Sequence, residues 1–196
     1  MRAGSGEDPL ALLKEGNARF ATGDAMRPQL TGERRSTMAD GQEPFAVVFG
    51  CVDSRVTPEV VFDRGLGDLL VIRTAGQAID EAVLGSIEFG AAVLGIPLVT
   101  VLGHERCGAV IATVETLDSG GTADGSIAAI VEAIAPAVER SSGEGDDLLD
   151  RAVRANIRNV VARLRMSPIL RELETEGKLA IVGAHYTLGS GVVDFM

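Results

Sequence analysis

The hydrophobic positions of this chain fall into four continuous runs of strand length. Continuous runs, unlike alternating ones, are typical of strands covered on both faces, as in parallel sheets. The runs are "PFAVVFG" (44–50), "DLLVIR" (68–73), "PLVTVLG" (97–103) and "KLAIVGAHY" (178–186). They predict four core strands.

Amphipathic patterns of helical period separate these runs. Ile79, Val83 and Ile87 recur at helical spacing within 79–94. Strands that alternate with helices are typical of the α/β class. Further helices are predicted over 106–117, 126–140 and 146–176, with a loop at "ERSSGEGDD" and an interruption at Pro168.

The segment before the first strand predicts a helical arm. Asp8 is a favourable N-cap, Pro9 suits a first helical turn, and an apolar face follows over residues 8–22. A shorter helix is predicted over 31–40. Because the sequence shows no internal repeat and no linker, it predicts one domain (1–196), made of an N-terminal helical arm (1–43) and an α/β core (44–196).

Composition and charge limit the classes of partner and the cellular location that the chain could have. Hydrophobic residues make up 46% and aromatic residues 4%, so the core must be aliphatic. The net charge of -10 argues against nucleic acid and against an anionic membrane surface as partners. No signal peptide and no apolar run of about 18 residues are found, so we expect a cytoplasmic protein. Reducing conditions there favour free or metal-bound states for Cys51 and Cys107.

Residues with metal-binding chemistry follow the predicted strands. Cys51 comes directly after the first strand, and His104 and Cys107 come after the third. The carboxyl ends of parallel strands form the usual ligand edge of an α/β sheet. Two cysteines and one histidine match a catalytic zinc site, which keeps its fourth position open. Soft thiolates favour zinc over magnesium or calcium.

Asp53 and Arg55 stand two positions apart, so both can face the same way if the segment is extended. Arginine can bind a carboxylate through two hydrogen bonds, which would make Asp53 an acceptor rather than a zinc ligand. Taken singly, each feature has a plainer interpretation: a buried cysteine as a small hydrophobe, or a surface ion pair of little energetic value. His185 is interpreted as a structural histidine.

Two of these segments together resemble a known family. "CVDSRV" and "GHERCGA" are similar to the signature segments of the β-class carbonic anhydrases, and "GLGDLLVIRTAGQ" is similar to the family's second strand. The resemblance runs from Leu10 to Tyr186. It implies an α/β fold with a central, mainly parallel β-sheet, about four parallel strands plus an edge strand, flanked by helices. It also implies that Cys51, His104 and Cys107 bind one zinc ion per subunit.

The resemblance further assigns catalytic and pocket residues. Asp53 and Arg55 match the catalytic dyad, and Gln42 matches a glutamine that donates a hydrogen bond to a substrate oxygen. The implied pocket residues are Gly108, beside the site; Leu70, where many members carry a phenylalanine; and Phe89, where many carry a tyrosine from the partner subunit. Val48 replaces a tryptophan of one subclass's regulatory bicarbonate pocket, so that form of inhibition is not expected.

The expected activity is zinc-dependent, reversible hydration of carbon dioxide to bicarbonate and a proton by a zinc-bound hydroxide (carbonate dehydratase, a lyase). Two thiolates make the metal centre less positive than neutral ligands would, so activity should rise above neutral pH. If Arg55 released Asp53, the carboxylate could become a fourth ligand in a closed state. The resemblance also implies a homodimer or homotetramer.

Four alternatives remain open. The same zinc site could hydrolyse carbonyl sulfide or carbon disulfide, or the chain could be a non-catalytic, zinc-stabilised binding protein. A redox protein is disfavoured because there is no C-x-x-C motif. A nucleotide-binding protein is disfavoured because "GLGDLL" and "DSGGTADGS" match no phosphate-binding pattern.

Overall fold

The computed structural model describes residues 7–26, 31–142 and 147–196. These residues form an α/β fold around one five-stranded sheet with the order β2-β1-β3-β4-β5. The first four strands are parallel and the last is an antiparallel edge strand, as expected. The strands are β1 (Ala46–Cys51), β2 (Leu69–Thr74), β3 (Leu98–His104), β4 (Ala180–Tyr186) and β5 (Val193–Phe195).

Burial differs between the strands. Every residue of β1 and β3 is buried, which explains their continuous apolar sequences. Every residue of β2 is only half-buried, contrary to the expectation of full cover. The reason is its position: β2 is an edge strand that pairs, among the described residues, with β1 alone.

Helices cover both faces of the sheet. Alternate residues of β1 point into two separate apolar cores, Val47 and Phe49 into one and Ala46 and Val48 into the other. The helices are α1 (Pro9–Thr22), α2 (Gly32–Thr37), α3 (Pro58–Val61), α4 (Glu81–Glu88), α5 (Gly108–Ser119), α6 (Ile127–Ser141), α7 (Leu148–Leu164) and α8 (Pro168–Thr175). None of the described helices is long and apolar enough to cross a membrane.

One predicted helix differs from the structure, and another shows the interruption that was expected. The helix expected over 79–94 is α4 followed by a π-helical turn, Phe89–Val93. The helical pattern over 146–176 breaks before Pro168 as predicted, because Ser167 caps α8 and Pro168 occupies its first turn. Of the loop expected at 139–147, residues 139–141 instead form the end of α6, and residues 143–146 lie outside the described residues.

The N-terminal helix packs on its own chain. The side chain of Asn17 in α1 is buried and donates to the carbonyls of Val61 and Gly191 at 3.1 and 2.8 Å. Its Oδ1 accepts from the Val193 amide at 2.8 Å. These bonds fix α1 against α3 and the segment leading into β5.

Candidate metal centre

Two neighbouring strands end at one cluster of ligands. Cys51 is the last residue of β1, His104 is the last of β3, and Cys107 caps the start of α5. Because β1 and β3 are parallel neighbours, these residues meet at one edge of the sheet. All three are buried, and their ligand atoms lie within 4.8 Å of one another.

The donor geometry fits a tetrahedral zinc ion. The two sulfur atoms are 3.9 Å apart. A disulfide would need about 2.0 Å, whereas two thiolates about 2.3 Å from one tetrahedral zinc lie about 3.8 Å apart. His104 Nδ1 lies 2.8 Å from the Glu105 carbonyl, so Nδ1 carries the proton and Nε2 keeps its lone pair. That Nε2 is buried without a hydrogen-bond partner among the described residues.

The charge state of the two cysteines also favours a cation. The Cys107 thiol donates to Cys51, which lowers the pKa of Cys51. The pKa of Cys107 is raised because the same hydrogen bond needs its proton, and because burial and the negative charge of Cys51 disfavour a second thiolate. A divalent cation would let both sulfurs ionise.

Asp53 and Arg55 lie in a tight turn beside this cluster, so the condition of an extended segment is not met, and both side chains still face each other. The Arg55 amide and Nε both donate to Asp53 Oδ1 at 2.9 Å, and Nη2 donates to Oδ2 at 2.7 Å. These bonds hold the pKa of Asp53 well below its usual range. Oδ2 lies 3.9 Å from His104 Nε2, so the ionised carboxylate borders the ligand cluster.

Residues at the end of β2 support this edge. Arg73 donates to the Cys51 and Asp53 carbonyls, both at 2.6 Å, and so connects β2 to the turn that contains Asp53 and Arg55. The sequence placed Arg73 at a strand end without giving it this role. It did not single out Gly76 and Asn156, which lie behind Cys51. A glycine after a strand was the available signal for Gly76, and nothing in the helical pattern marks Asn156.

Of the other predicted site residues, the structure places Gly108 directly after Cys107, as the first residue of α5. Gln42, Leu70 and Phe89 are not at the cluster. Leu70 pairs with Val47, four residues before Cys51 and therefore about 13 Å away along the strand.

Gln42 and Phe89 lie towards the same end of the sheet as Leu70. Gln42 precedes β1 and is exposed. Phe89 is 50% exposed and begins the π turn, whose Gly90 lies against Leu70 and Val47. These three predicted pocket residues therefore lie away from their own chain's ligands.

The second histidine of the chain, His185, lies outside the ligand cluster. It is buried, with Nδ1 3.3 Å from Arg154 Nη2 and Nε2 3.2 Å from Asp150 Oδ1. Burial and the Arg154 charge lower its pKa. These contacts agree with the structural role expected for it.

Comparisons with known proteins agree with this geometry. Residues 46–193 match the family model described as carbonic anhydrase. A carbonic anhydrase of Mycolicibacterium smegmatis is 45% identical over 93% of this chain and 89% of its own length. Carbonic anhydrase 2 of Mycobacterium tuberculosis is 44% identical over 91% and 87%.

Similarity to solved structures shows to which class of carbonic anhydrases the chain belongs. The β-carbonic anhydrase CcaA has a TM-score of 0.73 at 26% identity, covering 96% of this chain and 95% of its own. A Coccomyxa β-carbonic anhydrase in complex with acetazolamide has a TM-score of 0.75 at 26% identity, covering 97% and 86%. The chain therefore belongs to the carbonic anhydrase family, a family of lyases, and within it to the β class.

Proposed function

We propose that this protein catalyses the reversible hydration of carbon dioxide to bicarbonate and a proton, with one zinc ion held by Cys51, His104 and Cys107. The observation that carries the proposal is the buried Cys-His-Cys cluster with an unpartnered Nε2. Three protein ligands leave a fourth position for water, as in catalytic zinc sites. Bound there, zinc would act as a Lewis acid and lower the pKa of a water molecule, so that the water could ionise at neutral to alkaline pH.

Asp53 orients the attacking water in this proposal. An ionised carboxylate can only accept hydrogen bonds, so it would fix the direction of the water's lone pair towards the carbon of carbon dioxide. Arg55 keeps Asp53 ionised and in place through three hydrogen bonds. For Asp53 to become a fourth ligand in a closed state, it would have to leave these contacts.

The substrate pocket is completed, we propose, by a second copy of the chain. Gln42, Leu70 and Phe89 lie about a strand's length from their own cluster, so a partner must bring them to it. Leu70 and Phe89 would provide an apolar wall for a nonpolar gas, and Gln42 would donate to an oxygen that gains charge. The assembly would be a homodimer, or a homotetramer built from it.

Stopped-flow hydration of carbon dioxide tests the proposal on zinc-loaded protein, from about pH 6.5 to 9. The rate should climb to an alkaline plateau. No hydration at any pH, with one zinc per chain bound, would contradict it. Carbonyl sulfide and carbon disulfide would then be assayed on the same sample. Turnover of either would assign a hydrolase, and no turnover of any substrate would indicate a zinc-stabilised binding protein.

A further inference from the structure

A short 3₁₀ helix, Ala75–Gln77, follows β2 and passes directly behind Cys51. The amide of Gly76 in this turn points at the Cys51 sulfur, with N and Sγ 3.5 Å apart in a buried contact. The backbone of Gly76 has φ 57°, a conformation that favours glycine. A Cβ there would lie 2.5 Å from Ile134 Cδ1 and 3.0 Å from Ala109 Cβ. Both the backbone conformation and the close packing at position 76 therefore favour glycine.

Helix α7 holds the next peptide unit, the one between Gly76 and Gln77. Asn156 Nδ2 donates to the Gly76 carbonyl at 2.8 Å, and Asn156 is only 3% exposed. Gln77 also fixes the turn, because its Nε2 donates to the Leu102 carbonyl of β3 at 3.0 Å. A buried amide whose partner is removed leaves a costly unsatisfied group, so these bonds over-determine the position of the turn.

We propose that Asn156 is a positioning residue for the metal centre: through Gly76 it aims a backbone N–H at the Cys51 thiolate and so sets that ligand's electron density and orientation. The inference rests on the zinc site of the proposed function. Partners of a metal ligand commonly change metal affinity by about 10- to 100-fold when they are lost. A hydrogen bond to a thiolate also withdraws electron density from sulfur.

The test compares Asn156→Leu with Asn17→Leu. Both replace a buried asparagine that donates to backbone carbonyls, but Asn17 lies in the other core, away from the ligands. Zinc affinity is measured by competition with a chelator, and the cobalt-substituted proteins are compared by their thiolate-to-cobalt absorption band. We expect Asn156→Leu to weaken zinc binding at least about 10-fold and to move the band to longer wavelength, because the sulfur becomes more electron-rich. Asn17→Leu should do neither.

A measurement on the wild-type protein covers the case in which Asn156→Leu does not fold. In protein loaded with ¹¹³Cd, a hydrogen bond from Gly76 to a metal-bound sulfur transmits a scalar coupling between the cadmium nucleus and the Gly76 amide proton. Absence of this coupling would overturn the proposal. So would an Asn156→Leu variant whose zinc affinity and cobalt band match those of Asn17→Leu. Failure of the wild-type chain to bind zinc or cobalt would instead refute the zinc site itself.

Discussion

Arg55 controls both the orientation and the charge of Asp53 at this site. Among the described residues, it donates three hydrogen bonds to the carboxylate, and its own side chain is half-exposed. Replacing it by alanine removes two of those bonds and leaves the backbone one. Misplacing a reacting group by about 1 Å can lower a rate about 100-fold, so we expect that loss in kcat/KM for Arg55→Ala.

The pH profile of Arg55→Ala should keep its midpoint. Loss of the arginine lets the Asp53 pKa rise from its depressed value towards about 4, the ordinary aspartate value. Asp53 therefore remains ionised at neutral pH in both proteins, and the profile should fall in amplitude only. Arg171→Ala, an exposed substitution on α8, is the control and should leave the rate unchanged. A shifted midpoint would show that Asp53 titrates in the working range.

Zinc should stabilise the fold through His104. The buried Nε2 has no partner among the described residues, so a metal ion removes an unsatisfied group. Zinc at about 100 times its dissociation constant should add about 2.7 kcal/mol to the free energy of unfolding. Denaturation with and without zinc measures this difference. His104→Ala should lose most of it, and His185→Ala should keep it, even if that variant is less stable overall.

Among single residues, the sequence predicted those whose chemistry is unusual for their position. Cys51, His104 and Cys107 stood out because cysteine and histidine are rare in this chain and follow predicted strands. Asn156 could not be predicted, because its role depends on a carbonyl 80 positions away. The tight turn at Asp53 was also missed, because a two-residue spacing fits both an extended segment and an Asx turn.

The packing of single elements depends on glycines that admit a neighbouring backbone. Gly16 lies on the face of α1 that meets α3, and a Cβ there would be 1.8 Å from the Phe62 carbonyl oxygen. That oxygen belongs to backbone and cannot move aside like a flexible side chain. Gly16→Ala should therefore lower the free energy of unfolding by about 1–3 kcal/mol, although alanine favours the helix itself.

Gly85→Ala is the matched control for this effect. Gly85 is an exposed glycine within α4, and a Cβ there meets no atom of the described residues within 4 Å. Only helix propensity then operates, and Gly85→Ala should stabilise the protein by up to about 1 kcal/mol. Urea denaturation of both variants measures the contrast. Equal effects would show that α1 does not pack on α3 in solution.

Element boundaries followed from sequence wherever a local signal exists. The four apolar runs gave β1 to β4 to within about two residues, and Asp8 caps α1 as its sequence indicates. The π turn after α4 was not predicted, since the apolar period continues through it. Gly90 of this turn lies against Leu70 and Val47, which are distant in sequence, so this packing leaves no signal in the local pattern.

At the scale of the whole molecule, one edge of the sheet leaves a strand and nearby apolar side chains exposed to solvent in a monomer. The outer edge of β2 is unpaired among the described residues, and Leu66, Phe89 and Val93 are 48%, 50% and 66% exposed. An open strand edge with apolar neighbours favours association. We expect a mass in solution of about 41 kDa, twice 20.4 kDa, or double that value. A mass of 20.4 kDa would contradict the shared pocket.

Complementation between two inactive variants tests whether each site is built from two chains. Asp53→Asn damages the half of the site that holds the ligands, and Gln42→Ala damages the half that we assign to the partner. In a mixed dimer with two-fold arrangement of the sites, one site contains both substitutions. The other site takes its ligand half and its Gln42 half from the unsubstituted parts of the two chains, so it contains neither. Random pairing makes half of the dimers mixed, so co-produced variants should recover about a quarter of the wild-type activity.

The control for complementation pairs Asp53→Asn with Arg55→Ala, whose defects fall in the same half of the site. Every site in that mixed dimer keeps one defect, so activity should stay at the level of the single variants. Recovery only in the Gln42 mixture would establish that Gln42 acts across the interface. Equal activity in the two mixtures would place Gln42 outside the partner's site. The half-buried β2 edge would then need another explanation.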